Sequence, residues 1–426
     1  MKLTYSLDTI HFDTLLTERS SITQRLIVRN GNDEAINLNN ISLGKSANSD
    51  YDIYVNGIEG KSFSDKVIYG NDSMLILVEV FIDPMDEELP YLVKDSIQFS
   101  YNGNLDDVKL VAYGQDAIYL NRQTLECNTT WVKGKPYVLY DTISVEQSCT
   151  LTMEEGTRVF LDNGSALVID GTLLMNGTAA NRIIVKNTRF DEEFKNAPGQ
   201  WNAIYFGETS IGNMVKYATI TNGVIGLNLD TRADDEIELQ ISNSRIGHMS
   251  SAGIRSLGAD LDLLNVEIFD CATELLGVLE GGKVDIDHCT FSNEPNQFSR
   301  RQESLRFLDE GAESKDLDIT ITNSIIWGRQ SEELIAELTR PSSVKNIANN
   351  IIRSRSEELE VSNDLSQENY YPKFARPGIF DFRLSEQSPA IDTALESSTT
   401  IDLLDSLRDE KPDLGAYEWI GMEEEK

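Results

Sequence analysis

At 426 residues with 40% apolar content, the chain is longer than one ordinary domain and apolar enough for a continuous core, so two or three structural units are expected. Its 37 Lys plus Arg against 71 Asp plus Glu give a net charge of −34, which argues against nucleic acid or an anionic membrane as partner. Such acidity suits a solvated surface protein, with calcium the one cofactor it would admit. The clusters Asp86-Glu-Glu88, Asp234-Asp-Glu236, Glu332-Glu333 and Glu357-Glu358 each read as solvated faces rather than metal sites. Cys127, Cys149, Cys271 and Cys289 lack metal-ligand spacing, apart from His288 beside Cys289, and read as buried free thiols. No apolar run reaches membrane-spanning length, and the opening Met1-Lys-Leu-Thr-Tyr-Ser lacks the apolar core of a signal peptide.

Residues 1–118 alternate short apolar runs with turns. Gln24-Arg-Leu-Ile-Val-Arg29, Asp52-Ile-Tyr-Val55, Met74 to Ile82, Ser96-Ile-Gln-Phe99 and Val108 to Ala112 are predicted strands, and Asn30-Gly31, Asn56-Gly57 and Asn102-Gly103 are predicted turns. This pattern predicts a small antiparallel sandwich of immunoglobulin-like type.

Residues 119–355 are predicted to form a parallel β-helix. Gly156 to Leu161, Ala166 to Gly171, Thr172 to Gly177 and Arg182 to Val185 read as its opening coils. A degenerate hexapeptide, apolar-x-Asn-x-x-apolar, then returns at Ile241-Ser-Asn243-Ser-Arg-Ile246, Leu263 to Ile268, Ile286 to Phe291, Ile321 to Ile326 and Ile347 to Ile352. The copies start roughly 22 to 35 residues apart, which is solenoid spacing, and their β-branched alternation is that of strands. Asn243, Asn265, Asn323 and Asn349 occupy the turning position, where Asn tolerates left-handed backbone angles and can bond neighbouring main chain. His288 falls in the same column and reads as a substitute for Asn rather than a catalytic or metal-binding group. Val215 to Ile220 fits the hexapeptide with Tyr217 in that column. The long step after Phe291 includes Pro295 to Arg301, which must leave the coil as a loop. Residues 356–426 break the repeat and are expected to cap exposed strand edges.

The segments Phe12-Asp-Thr-Leu-Leu-Thr17, Val55-Asn-Gly57, Val78-Glu-Val80, Ile82-Asp-Pro84 and Ala112-Tyr-Gly-Gln-Asp116 resemble the immunoglobulin-like module of Bacteroidetes surface lipoproteins. The middle resembles their right-handed β-helix. Asp381-Phe-Arg-Leu, Ser388-Pro-Ala-Ile-Asp392 and Pro412 to Glu418 are similar to the closing segment of bacterial β-helix proteins. The resemblance implies export to the cell surface or periplasm and contact with membrane only through a lipid anchor, absent from this chain because no lipobox cysteine precedes Leu3. Met1 would then replace the lipidated start of a mature form.

Chemistry is less legible. Asp285 and Asp287 share one strand face beside Lys283 but read as solvent-facing, while Arg245 or Arg255, with Asp260 and Asp262 as calcium ligands, would serve a lyase only by convergence in space. No nucleophile elbow, zinc-protease or phosphate-loop motif is present. In Trp201-Asn-Ala-Ile-Tyr-Phe206, strand alternation puts Trp201 and Tyr205 on the face opposite Ile204 and Phe206, an arrangement that suits stacking against sugar rings. The residues therefore point to a non-catalytic recognition or scaffold protein with a polysaccharide ligand. The alternatives are a β-helix polysaccharide lyase or glycoside hydrolase, and a structural stalk or adhesin.

Overall fold

The computed structural model describes residues 1–230, 237–295, 297–311, 314–354, 361–362, 371–396 and 399–421. The acidic clusters Asp234-Asp-Glu236 and Glu357-Glu358 lie outside the described residues. Two compact units divide the chain, Met1–Ile118 with Phe190–Glu192, and Tyr119–Arg189 with Glu193–Lys426.

In the first unit two five-stranded sheets enclose one apolar cluster that includes Leu26, Ile53, Ile76, Ile97, Phe99 and Leu110. One sheet orders the strands Thr4–Tyr5, Gln24–Asn30, Asp72–Val80, Tyr51–Val55 and Ile58–Gly60. The other orders Thr9–Leu16, Asn104–Gln115, Tyr91–Tyr101, Ile36–Leu43 and Ser62–Ile68. Pairing is antiparallel except between Thr9–Leu16 and Asn104–Gln115. The strict alternation of Ile, Leu and Val with polar residues buries one face of each sheet, as period-two geometry requires.

The second unit is a β-helix-like solenoid of parallel strands. Each full coil contributes three strands, as in Arg245–Met249, Ile254–Ser256 and Leu261–Leu264, followed by Glu267–Cys271, Leu276–Val278 and Gly282–Asp287. Equivalent strands stack in register, so that Val145, Ile169, Phe206 and Leu229 form one inward column and Leu239, Leu261 and Val284 another. The inward residues fuse into a single core running from Trp131 to Ile352. Short strands suffice because each is bonded on both sides by the coils above and below.

Three strands per coil leave three corners. The hexapeptide marks the corner between the third strand of one coil and the first of the next. There Tyr217, Asn243, Asn265, His288, Asn323 and Asn349 all take positive φ, between 47° and 57°. A second corner column, Asn187, Asn222, His248 and Asp270, went unremarked in the sequence because its residue types vary. Asn222, His248 and Asp270 in it are also left-handed.

The tail, expected as a cap over strand edges, lies along the flank of the stack against the hexapeptide corner. Asn349 donates to Thr393 O at 2.9 Å, Asn323 to Leu395 O at 3.3 Å, Asn265 to Ile401 O at 2.9 Å, Asn243 to Asp402 O at 2.6 Å and Tyr217 to the Asp405 carboxylate at 2.7 Å. From Thr393 to Asp405 the tail therefore passes from later coils to earlier ones, and it then returns, with Asp413 O bonded to His288 and Gly415 N donating to Asn323 O at 2.7 Å. Among the described residues one side-chain bond, Asn349 to Asn323 at 3.0 Å, links successive asparagines of the column, whose other amide donors go largely to the tail's carbonyls.

The thiol expectation is corrected in part. Cys127 and Cys149 form a disulfide with Cα atoms 4.7 Å apart, a normal separation, while Cys271 and Cys289 are free and buried. Glu333 is likewise no solvated residue. It is fully buried and paired with Arg300 at 2.6 Å, with Ser304 also bonded to it, because the loop after Phe291 folds back over it.

Candidate functional site

The third corner, between the second and third strands of each coil, carries the candidate site. Here the ladder continues one residue past the strands: Asp170 N donates to Val145 O, Gly207 N to Ile169 O and Asp230 N to Phe206 O, each at 2.9 Å. Glu146, Asp170, Gly207 and Asp230 thus occupy one column on successive coils. Parallel strands lie about 4.8 Å apart, so Asp170 and Asp230 stand roughly 10 Å apart with Gly207 between them.

Glycine matters at this position. A Cβ on residue 207 would lie 2.1 Å from Asp170 Oδ1, so the missing side chain leaves the space into which the Asp170 carboxylate leans. Half-buried Tyr205 forms a wall, its hydroxyl donating to Asp230 Oδ2 at 2.9 Å. Glu208 begins a loop pinned by Thr209 Oγ1 to Asp170 O at 2.7 Å and by Ser210 Oγ to Gly171 O at 2.8 Å. Together these groups line a groove of about 620 Å³ that Gln147 also borders. Burial, the hydrogen bond to Asp230 and the charges of Asp230, Asp170 and Glu208 push the Tyr205 hydroxyl pKa up to about 12, which keeps it a neutral donor.

Tyr205 therefore stands where strand alternation puts it, between buried Ile204 and Phe206. Trp201 does not, and the paired aromatic platform is corrected. The regular strand is only Ile204–Phe206, so its period does not extend back to Trp201, which makes an isolated bridge to Gly223. The indole is 1% exposed, lies in the core and donates through Nε1 to Thr221 O at 2.8 Å. Burying so large a ring is worth about 2–3 kcal/mol, more than a solvent-exposed platform could return in the absence of ligand.

The other sequence candidates are dispersed. Arg245 is bound to buried Glu267 at 2.5 Å and covered by Phe380 O at 3.2 Å, and Arg255 is bound to buried Glu274 at 2.9 Å. Asp260 caps the next coil through Lys283 N at 2.7 Å. Asp262 and Asp285 are register partners on the third strand stack, where burial and the neighbouring Asp285 charge raise the Asp262 pKa, while Asp285 pairs with Lys283 at 3.2 Å. Asp287 accepts from Thr322 and Asn323 at 2.9 and 3.0 Å. His288 is fully buried, donates from Nδ1 to Asp413 O at 3.1 Å, and is held neutral by a pKa lowered to about 4 through burial and the adjacent Arg408. Among the described residues no group of three or more His, Cys, Asp or Glu side chains is placed to hold a metal ion.

The sequence reading missed Glu146, Asp170, Gly207, Glu208 and Asp230. A signal existed in Ile-Asp-Gly at 169–171, Phe-Gly at 206–207 and Leu-Asp at 229–230, each an apolar strand end followed by Asp or Gly. Irregular spacing hid the common column.

No protein-family model matches the chain, and no curated protein sequence does. Among solved structures, a protein of unknown function from Porphyromonas gingivalis W83 matches 30% of this chain and 60% of its own length, at 12% identity and TM-score 0.20. A family 123 glycoside hydrolase from Clostridium perfringens matches over 31% and 30%, at 10% identity and TM-score 0.20. The catalytic unit of a GH87 α-1,3-glucanase from Streptomyces thermodiastaticus strain HF3-3 matches over 77% and 68%, at 12% identity and TM-score 0.20. The chain thus spans less than two thirds of the first two, and likenesses of this size assign no activity.

Proposed function

We propose that this chain is an exported bacterial recognition protein that binds glycan in the groove beside Tyr205. The observation that carries the reading is the placement of a half-exposed aromatic wall and a row of hydrogen-bond acceptors along one corner column of the solenoid. A saccharide lying along the stack meets a new coil about every 4.8 Å, close to the length of one pyranose, so successive sugars would meet equivalent positions. Tyr205 offers a ring face for stacking, and the carboxylates accept from sugar hydroxyls.

Export is supported by the Cys127–Cys149 disulfide, because such bonds persist in oxidising compartments. In this reading the first unit is an immunoglobulin-like module, the solenoid is a right-handed β-helix, and the native protein is held at the cell surface by a lipid anchor.

A second reading, hydrolysis, is favoured by one observation: Asp170 and Asp230 flank the open position at Gly207. Inverting glycosidases hold their carboxyls about 6.5–9.5 Å apart, and two coils give roughly 10 Å before side chains lean inward. Binding is the preferred reading because it needs only the ring and the acceptors that line the groove, whereas hydrolysis also needs two carboxyls to close on one glycosidic bond.

The test is incubation of the purified chain with a panel of neutral, acidic and amino-sugar polysaccharides, following retention and new reducing ends. Retention without product is expected. New reducing ends abolished by Asp170→Asn would establish hydrolysis instead, and neither retention nor product would leave a scaffold.

A further inference from the structure

The groove differs from an ordinary polar sugar site in charge. Glu146, Asp170, Glu208 and Asp230 contribute four carboxylates, and none of the lining residues is Lys or Arg. The negative field is gathered at one corner of the solenoid rather than spread over the acidic surface. Asp230 is held by the Tyr205 hydroxyl, and Asp170 leans into space available only because residue 207 is glycine. The same field helps to push up the Tyr205 pKa.

Two classes of ligand answer such a field. Metal ions need carboxylates converging on one point, and no described group of three does so. Carboxylates strung along a corner column at coil spacing instead face a ligand with positive charges strung along its length. An acidic glycan would bring its own carboxylates against these, and like charges at that range repel.

We propose that the glycan taken by this groove is an amino-sugar chain with free, protonated amines, such as a de-N-acetylated glucosamine oligomer, with Asp170 and Asp230 accepting from the ammonium groups and Tyr205 stacking on a ring between them. The inference rests on the glycan reading above and narrows it to one charge class. Ammonium-to-carboxylate bonds are charge-assisted and among the stronger hydrogen bonds, and acetylation would remove both the charge and a donor.

The experiment is calorimetric titration of the full chain with glucosamine, N-acetylglucosamine and galacturonate tetramers, and with tetralysine, at mildly acidic pH, physiological salt and in the presence of EDTA. The glucosamine tetramer is expected to bind at least about tenfold more tightly than its acetylated counterpart, with the galacturonate tetramer not bound. Asp170→Asn and Asp230→Asn should each cost about tenfold for the glucosamine tetramer and little for the acetylated one. Asp285→Asn, on a different strand stack, controls for the general acidity of the chain and should leave affinity unchanged.

Equal affinity for the acetylated and free-amine tetramers would overturn the charge inference and leave the glycan groove standing. Binding that Asp285→Asn weakens as much as Asp170→Asn does would reduce it to bulk polycation attraction. Tetralysine binding as tightly as the sugar, or no tetramer binding at all, would remove the glycan reading itself.

Discussion

Gly207 and Asp170 share one space: the Cβ that residue 207 lacks would fall 2.1 Å from Asp170 Oδ1. Substituting Gly207→Ala must swing the Asp170 carboxylate aside. Because the displaced atom is the end of a side chain, stability should change by no more than about 1 kcal/mol, whereas affinity for a groove ligand should fall about tenfold. Thermal unfolding and titration with the glucosamine tetramer on the same variant separate the two effects. A large loss of stability would mean that the glycine serves the corner rather than the groove.

His288 makes the solenoid sensitive to acid in a defined window. Its pKa is lowered from the ordinary 6.5 to about 4 by burial and by Arg408, so between these values the unfolded chain binds a proton that the folded chain refuses. Stability from this residue is fully present above about pH 6.5 and is lost as pH falls through the window. Relative to His288→Asn, which keeps the left-handed preference without the titration, the parent protein should lose stability progressively from pH 6.5 to 4. Parallel denaturant curves for the two proteins across that range would reject the account.

The tail depends on side chains of the corner it covers. Asn323 both donates to Leu395 O and accepts from Leu395 N at 2.8 Å, and its φ is 50°. Asn323→Ala loses these bonds and the residue type suited to a left-handed corner, an expected cost of about 2–4 kcal/mol. Hydrogen exchange should accelerate at residues 393–396 before the inward strands respond. Uniform acceleration would show that tail and coils unfold as one.

The Cys127–Cys149 bond closes a loop with a sequence separation of 22 near the start of the solenoid. Reduction, or replacement of both cysteines by serine, should destabilise this unit by about 2–4 kcal/mol. The comparison is a melting curve with and without reductant, and coincident curves would mean that the first coil holds without it.

The asparagine column was readable because one physical demand, a left-handed turn at each coil, recurs with one residue type. Asn243, Asn265, Asn323 and Asn349 announced the solenoid, and His288 could be assigned to the same role by position alone. The second corner gave no such signal, since Asn187, Asn222, His248 and Asp270 solve a similar turn with different residues.

Strand alternation correctly set Tyr205 between two core residues but failed at Trp201, three residues outside the regular strand, where a bridge to Gly223 and a bond to Thr221 O take over. What the sequence by itself determined is the coil: its strands, its turning residues and its inward apolar face, all consequences of short-range periodicity. Only the tertiary structure decided which residues meet at the third corner and that the tail lies along the asparagine column. Glu146, Asp170, Gly207 and Asp230 are brought into one row by pairing between coils of unequal length, and no local pattern encodes that pairing.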